Sequence, residues 1–153
     1  MPLSFPQQQV ASSIARFRVL VSGRRFGKTY LAIRELAKFA VKGQAVRQRC
    51  WYVAPSYRMA KQIAWLMLKE KLIYHRWARS FNEQDLTATL TNGSTISLRG
   101  ADNPDSLRGV GLNFLVMDEF ADIKKEAWHE VLRPTLSDTG GHALFTGTPK
   151  GRN

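Results

Sequence analysis

The chain has 153 residues, 44% of them hydrophobic, which suits one domain with a packed core and excludes a disordered tail. Lys and Arg number 23 against 12 Asp and Glu, a formal net charge of +11 that favours a polyanionic partner such as nucleic acid, although a solvated basic surface explains the same number. No run of about 18 apolar residues is present, which argues against a membrane span, and the start MPLSFPQQQ lacks a basic-then-apolar leader pattern. The single cysteine, Cys50, lies in an apolar run and reads as a core thiol in a reducing compartment, which points to the cytoplasm.

In chain order, a short helix is expected around Gln7 to Ile14, then a buried strand at FRVLV, Phe17 to Val21. KTYLAIRELAKFAVKG is helical, with Ile33, Leu36, Ala37 and Ala40 on one face and Gly43 as the stop. CWYVA, from Cys50, is a second buried strand. SYRMAKQIAWLMLKE is a second helix, its core stripe placed at Met59, Ile63, Leu66 and Met67. Alternating Leu86, Ala88, Leu90 and Ile96, Leu98 flank Asn92-Gly93, which predicts a tight antiparallel hairpin. NFLVMDEF is a third buried strand ending in two acids, KKEAWHEVL a short helix closed by Pro134, and HALFTGTPKG a fourth strand with a small-residue loop. Near-continuous apolar strands alternating with helices predict an α/β fold, three layers deep, with a mainly parallel sheet and a hairpin insertion.

Three segments carry chemistry. VLVSGRRFGKT departs from G-x-x-x-x-G-K-[ST], because Ser22 stands where the first glycine belongs and Gly23 follows one place later. Gly27, Lys28 and Thr29 still supply close backbone approach, an ammonium for the β- and γ-phosphates and a hydroxyl for Mg²⁺. Arg24 and Arg25, beside Phe26 in this loop, either stabilise charge at a γ-phosphate or simply add basic surface. Asp118 and Glu119 follow an apolar strand, at the edge where α/β sheets bind ligands. Asp118 suits a magnesium-associated acid and Glu119 a base for an attacking water. Thr146, Gly147 and Thr148 should lie on the same edge and sense the γ-phosphate. His75, His129 and His142 lack metal-ligand spacing. Trp51, Trp65, Trp77 and Trp128 read as core anchors, and Asp102 and Asp105 as turn formers.

The ordered set FPQQQ, VSGRRFGKT, YVAPSYRMAKQIAW, NGSTISLRGADNPDSLRG, LVMDEFAD, EVLRPTL and FTGTPKG resembles the N-terminal packaging ATPase of the large terminase subunit of tailed bacteriophages. The resemblance extends over nearly the whole chain, and a helicase, the other P-loop motor considered, does not match the outer segments. It implies a P-loop ATPase using ATP and Mg²⁺ in the bacterial host cytoplasm. Ser22, Gly23, Arg25, Phe26, Gly27, Lys28 and Thr29 would form the phosphate loop, with Gln8 on adenine and Arg24 facing the γ-phosphate. Thr29 and Asp118 would serve the metal, Glu119 would be the catalytic carboxylate, and Thr146 to Thr148 would couple hydrolysis to movement. Arg108, in SLRG, stands where terminases present an arginine to a neighbouring subunit; capping the sheet or touching DNA are its other readings. Implied partners are double-stranded DNA, a portal, a small terminase subunit and further copies in a ring. Large terminases continue into more ATPase core, a lid and a nuclease domain. Residues 1–153 are therefore expected to be a single, partial ATPase domain without the nuclease, incomplete at its C-terminal end, with the Val19 strand as an exposed edge. The alternative is an inactive prophage remnant that at most binds nucleotide or DNA.

Overall fold

The computed structural model describes residues 16–23, 27–42, 47–137 and 139–149. The helix expected around Gln7 to Ile14, and the Gly43 stop, lie outside the described residues. Seven strands form one sheet: β1 (Phe17–Val21), β2 (Arg49–Ala54), β3 (Ala78–Asn82), β4 (Thr87–Leu90), β5 (Thr95–Gly100), β6 (Phe114–Asp118) and β7 (His142–Gly147), in spatial order β1-β7-β6-β2-β5-β4-β3. The first five of these positions pair in parallel, and β4 and β3 add antiparallel strands. Asn92-Gly93 makes the β4–β5 turn, Gly93 taking φ 88°. The hairpin is no detached insertion, because β5 is a full parallel partner of β2 over six residues.

Helices α1 (Lys28–Lys42) and α2 (residues 57–74) cover one face, and α3 (residues 127–137) covers the other. The expected α1 stripe is buried throughout. The α2 stripe is displaced by one residue: Ala60, Ala64, Trp65, Leu68 and Leu72 are buried, whereas Ile63 and Leu66 are 40% and 65% exposed. The middle of α2, Lys61–Trp65, is π-helical, and the added residue rotates the downstream face. Pro134 does not close α3. The helix runs through it, from a π-helical segment Ala127–Leu132 into Arg133–Ser137, so Pro134 sits in the helix interior, at the junction of the two stretches.

Strand β3 was not anticipated. A register shift between Ala78 and Ser80 breaks its alternation, and as an edge strand it buries little. At the opposite edge, β1 has a neighbour on one side only among the described residues, which fits the expected edge strand, but Phe17, Val19 and Val21 are exposed, so FRVLV is not the buried strand also expected of it. Trp51 and Trp65 are buried, while Trp77 and Trp128 pack partly buried against the two cores. Cys50 is fully buried, and burial pushes its thiol up to about 12. Among the described residues, no helix is long and apolar enough to cross a membrane.

The tip of β5 abuts the start of α2, which Ser56 caps by accepting the Met59 N–H at 3.1 Å. A Cβ on Gly100 would stand 2.0 Å from the Tyr57 nitrogen and 2.6 Å from the Ser56 carbonyl carbon. Both are backbone atoms and cannot rotate away. Gly100→Ala is therefore expected to destabilise the fold by at least about 2 kcal/mol in urea unfolding.

Candidate active site

The strand order explains the site. Strand β7 separates β1, which feeds the glycine loop, from β6, which ends in the acids. Leu20 is level with Thr146, and Thr146 is level with Asp118. The segment after β7 thus runs between the lysine and the carboxylates. The β1–β7 pairing continues one residue, with the Ser22 N–H donating to the Gly147 carbonyl at 3.1 Å. Gly27 enters α1 at φ 80°, a left-handed conformation natural to glycine, and its carbonyl accepts from the Leu31 N–H at 3.0 Å.

Lys28 folds back over the loop. Its ammonium donates to the Ser22 carbonyl at 2.9 Å and to Thr148 Oγ1 at 2.8 Å. The Thr148 hydroxyl in turn donates to Glu119 Oε1 at 2.9 Å. Lysine, threonine and carboxylate form one line. Lys28 is only 7% exposed, yet among the described residues it makes no ion pair. Desolvating an ammonium against two neutral acceptors is costly, and a bound anion would offset that cost.

Asp118 is 5% exposed and accepts three donors. Thr146 Oγ1 reaches Oδ1 at 2.8 Å, the Glu119 N–H reaches Oδ1 at 2.9 Å, and the Tyr52 hydroxyl reaches Oδ2. Burial first, then the charge of Asp118, holds the Tyr52 phenol well above its usual range, so it remains a donor. Glu119 adopts φ 50°, ψ 49°, a left-handed conformation uncommon for glutamate, secured by its N–H bond to Asp118. The sequence offered no sign of Tyr52, which stands inside an apolar run.

A cleft of roughly 670 Å³ opens here, lined by Gly27, Lys28, Thr29, Asp118, Glu119 and Thr148, with Met59 and Ile63 of α2 on its wall. Asp122, also missed from the sequence, lines it too. The cleft thus gathers Lys28, Thr29, Asp118, Glu119 and Thr148; Thr146 and Gly147 do not line it, and Thr146 joins it through its bond to Asp118. Gln8, Arg24, Arg25 and Phe26 lie outside the described residues. Ser22 and Gly23 are described but do not line the cleft, and Ser22 takes part through its backbone. Arg108 is exposed and turned to Asp105 at 3.1 Å, away from the cleft lining. The oxygen donors, two threonine hydroxyls and three carboxylates, suit Mg²⁺, which keeps most of its waters and takes few protein ligands. Among the described residues, no group of three or more His, Cys, Asp or Glu side chains is placed to chelate a metal.

A parallel sheet with one strand between the glycine-loop strand and the acidic strand, and a lysine and carboxylates facing each other across its C-terminal edge, defines the P-loop NTPase class of fold. Within that class the chain belongs to the family "Terminase large subunit, T4likevirus-type, N-terminal", which matches residues 19–153. It is 32% identical over 167 residues to the terminase large subunit of Thermus phage G20c, across 96% of this chain and 34% of that protein. The chain thus spans about a third of the length of that relative. The large terminase ATPase domain of Thermus phage P74-26 superimposes with a TM-score of 0.82 at 29% identity, covering all of this chain and 67% of that one. The large terminase of a second thermophilic bacteriophage, in complex with ATP-gamma-S, has the same fold, with a TM-score of 0.76 at 20% identity over 98% of this chain and 39% of that one.

Proposed function

We propose that the chain is the ATP-hydrolysing part of a viral DNA-packaging terminase and that it couples hydrolysis to translocation of double-stranded DNA into a procapsid. The observation that carries this reading is the Lys28–Thr148–Glu119 line inside one cleft at the N-terminus of α1. Lys28 would leave Ser22 and Thr148 for the β- and γ-phosphates, and the loop N–H groups would cradle them. Glu119 would orient and deprotonate the attacking water. Thr148, relieved of Lys28, would report the exchange to the strand-end loop that carries it. Mg²⁺, held with Thr29 and Asp118, would supply charge neutralisation on the phosphates.

The resemblance and the ATP-gamma-S complex of the thermophilic phage terminase support ATP as the nucleotide. Arg24 and Arg25 in the loop, Phe26 beside them, and Gln8 at the base are assigned by resemblance. Arg108, exposed and outside its own cleft, suits a role toward the next copy in a ring. DNA, portal and small-subunit contacts would belong to the assembled motor in the host cytoplasm, to which residues 1–153 would contribute a partial ATPase domain. A surface for DNA is available around the β4–β5 turn. Arg79 bonds the Thr91 carbonyl at 3.2 Å, Arg47 lies over Gly93, and Arg49 begins the adjacent strand. No acid occurs in residues 47–50, 76–80 or 90–96. Binding there should weaken steeply with salt.

The test is ATP hydrolysis with and without linear double-stranded DNA, beside a Glu119→Ala control. The wild-type chain is expected to turn over slowly without neighbouring subunits and faster with DNA. Glu119→Ala should cut the rate by about a hundredfold or more and still bind ATP. Hydrolysis by Glu119→Ala at the wild-type rate would sink the assignment. Binding with no turnover under any condition would instead favour the inactive remnant.

A further inference from the structure

We infer that Tyr52 is a positioning residue of this site: its phenol orients the Asp118 carboxylate to receive the magnesium of the bound nucleotide. The inference rests on the ATPase reading above and concerns a strand in which no site residue was anticipated.

Register brings the two together. Tyr52 is level with Val116, so Asp118 lies two residues farther along the neighbouring strand on the same face of the sheet. That face is the one covered by α1 and α2, whose core includes both Tyr52 and Val116. Diagonal neighbours two residues apart are within reach of an aromatic side chain. Tyr52 uses that reach to place its hydroxyl on Asp118 Oδ2.

The hydrogen-bond inventory shows what this does. A carboxylate offers about four lone-pair positions. On Asp118 the Thr146 hydroxyl and the Glu119 N–H occupy both positions on Oδ1, and Tyr52 occupies one on Oδ2. Among the described residues, one acceptor position remains, on Oδ2. The protein therefore selects the oxygen and the direction through which Asp118 meets anything in the cleft. A fully buried phenylalanine would pack the core equally well. The hydroxyl is needed only for the carboxylate. Groups that orient a metal's ligands in this way typically contribute about ten- to a hundredfold in metal affinity.

The experiment titrates MgCl₂ against binding of a fluorescent ATP analogue to the 153-residue chain, and repeats binding in EDTA. Mn²⁺ paramagnetic resonance of the nucleotide complex serves as a second readout, and thermal melting checks the fold. Tyr52→Phe is expected to bind the analogue in EDTA like wild type while its Mg²⁺ midpoint rises about tenfold. Thr146→Val, which removes the other side-chain donor, should also raise the Mg²⁺ midpoint, and Thr146→Ser should restore the wild-type midpoint. A folded Tyr52→Phe with the wild-type Mg²⁺ midpoint overturns the inference. Equal weakening with and without Mg²⁺ also overturns it, because that marks a purely structural role. Should Tyr52→Phe not fold, an unchanged midpoint in folded Thr146→Val is the overturning result. If the wild-type chain fails to bind the analogue at all, the ATPase reading itself falls, a failure the wild-type control shows directly.

Discussion

Lys28→Ala is expected to weaken ATP binding by roughly a hundredfold or more, and Lys28→Met is expected to leave the fold as stable as wild type or more so. Both follow from the same observation. Lys28 is a buried residue, 7% exposed, and its ammonium rests on two neutral oxygens, the Ser22 carbonyl and Thr148 Oγ1. Removing a cation from water carries a penalty of several kcal/mol that neutral acceptors only partly offset. Methionine fills the same space without that penalty. When a triphosphate arrives, each charge-assisted bond from the ammonium contributes about 1.5–3 kcal/mol, and two of them amount to about a hundredfold or more in affinity. Calorimetric titration with ATP reads the first effect and urea unfolding the second. An ordinary structural lysine would behave in the reverse way, with stability lost on removal and binding untouched. Lys28→Ala binding ATP as tightly as wild type would refute the loop assignment.

The contrast between α1 and α2 shows what the sequence could convey. In α1 the buried face follows ordinary helical spacing, and Ile33, Leu36, Ala37 and Ala40 were legible from periodicity alone. In α2 the π-helical segment Lys61–Trp65 displaces the face, and the resulting stripe runs through small alanines that carry little hydrophobic signal. The same division holds at the site. Gly27, Lys28, Thr29, Asp118 and Glu119 were legible because a loop after a strand and acids at a strand's end are local patterns. Tyr52 was not, because only the β2–β6 register reveals that it lies diagonal to Asp118. Thr148 was recognised as part of a segment, but its bridging place follows from strand order, which puts β7 between β1 and β6. Sequence pattern reports neighbours along the chain. Register and strand order determine which of them meet.

Register and order also create the second large effect, which lies beneath the loop. Glu35→Ala is expected to destabilise the chain by about 3–5 kcal/mol. Arg18, on the edge strand β1, reaches across to Glu35 on α1 with Nη1–Oε1 at 2.7 Å, and both side chains are buried. The pair fastens the strand that feeds the phosphate loop to the helix that leaves it. Truncating Glu35 would remove the carboxylate that faces the buried Arg18 guanidinium, which is why the single variant should be so damaging. The intact pair is itself not strongly stabilising, since Glu35 Oε2 is buried without a hydrogen-bond partner among the described residues. Arg18→Met combined with Glu35→Leu should therefore recover most of the loss and equal or exceed wild type, as apolar replacements of buried pairs often do. Urea unfolding of Arg18→Met, Glu35→Leu and the double variant gives the coupling directly. Cys50, the single thiol, supplies an independent readout: it is fully buried in β2 and its thiol is pushed up to about 12, so alkylation requires opening of the sheet. Glu35→Ala should accelerate Cys50 alkylation and the double variant should return it to the wild-type rate. If β1 merely frayed, circular dichroism would report a small change while Cys50 remained protected. If the two single effects simply added in the double variant, the pair would not be the fastening proposed for it.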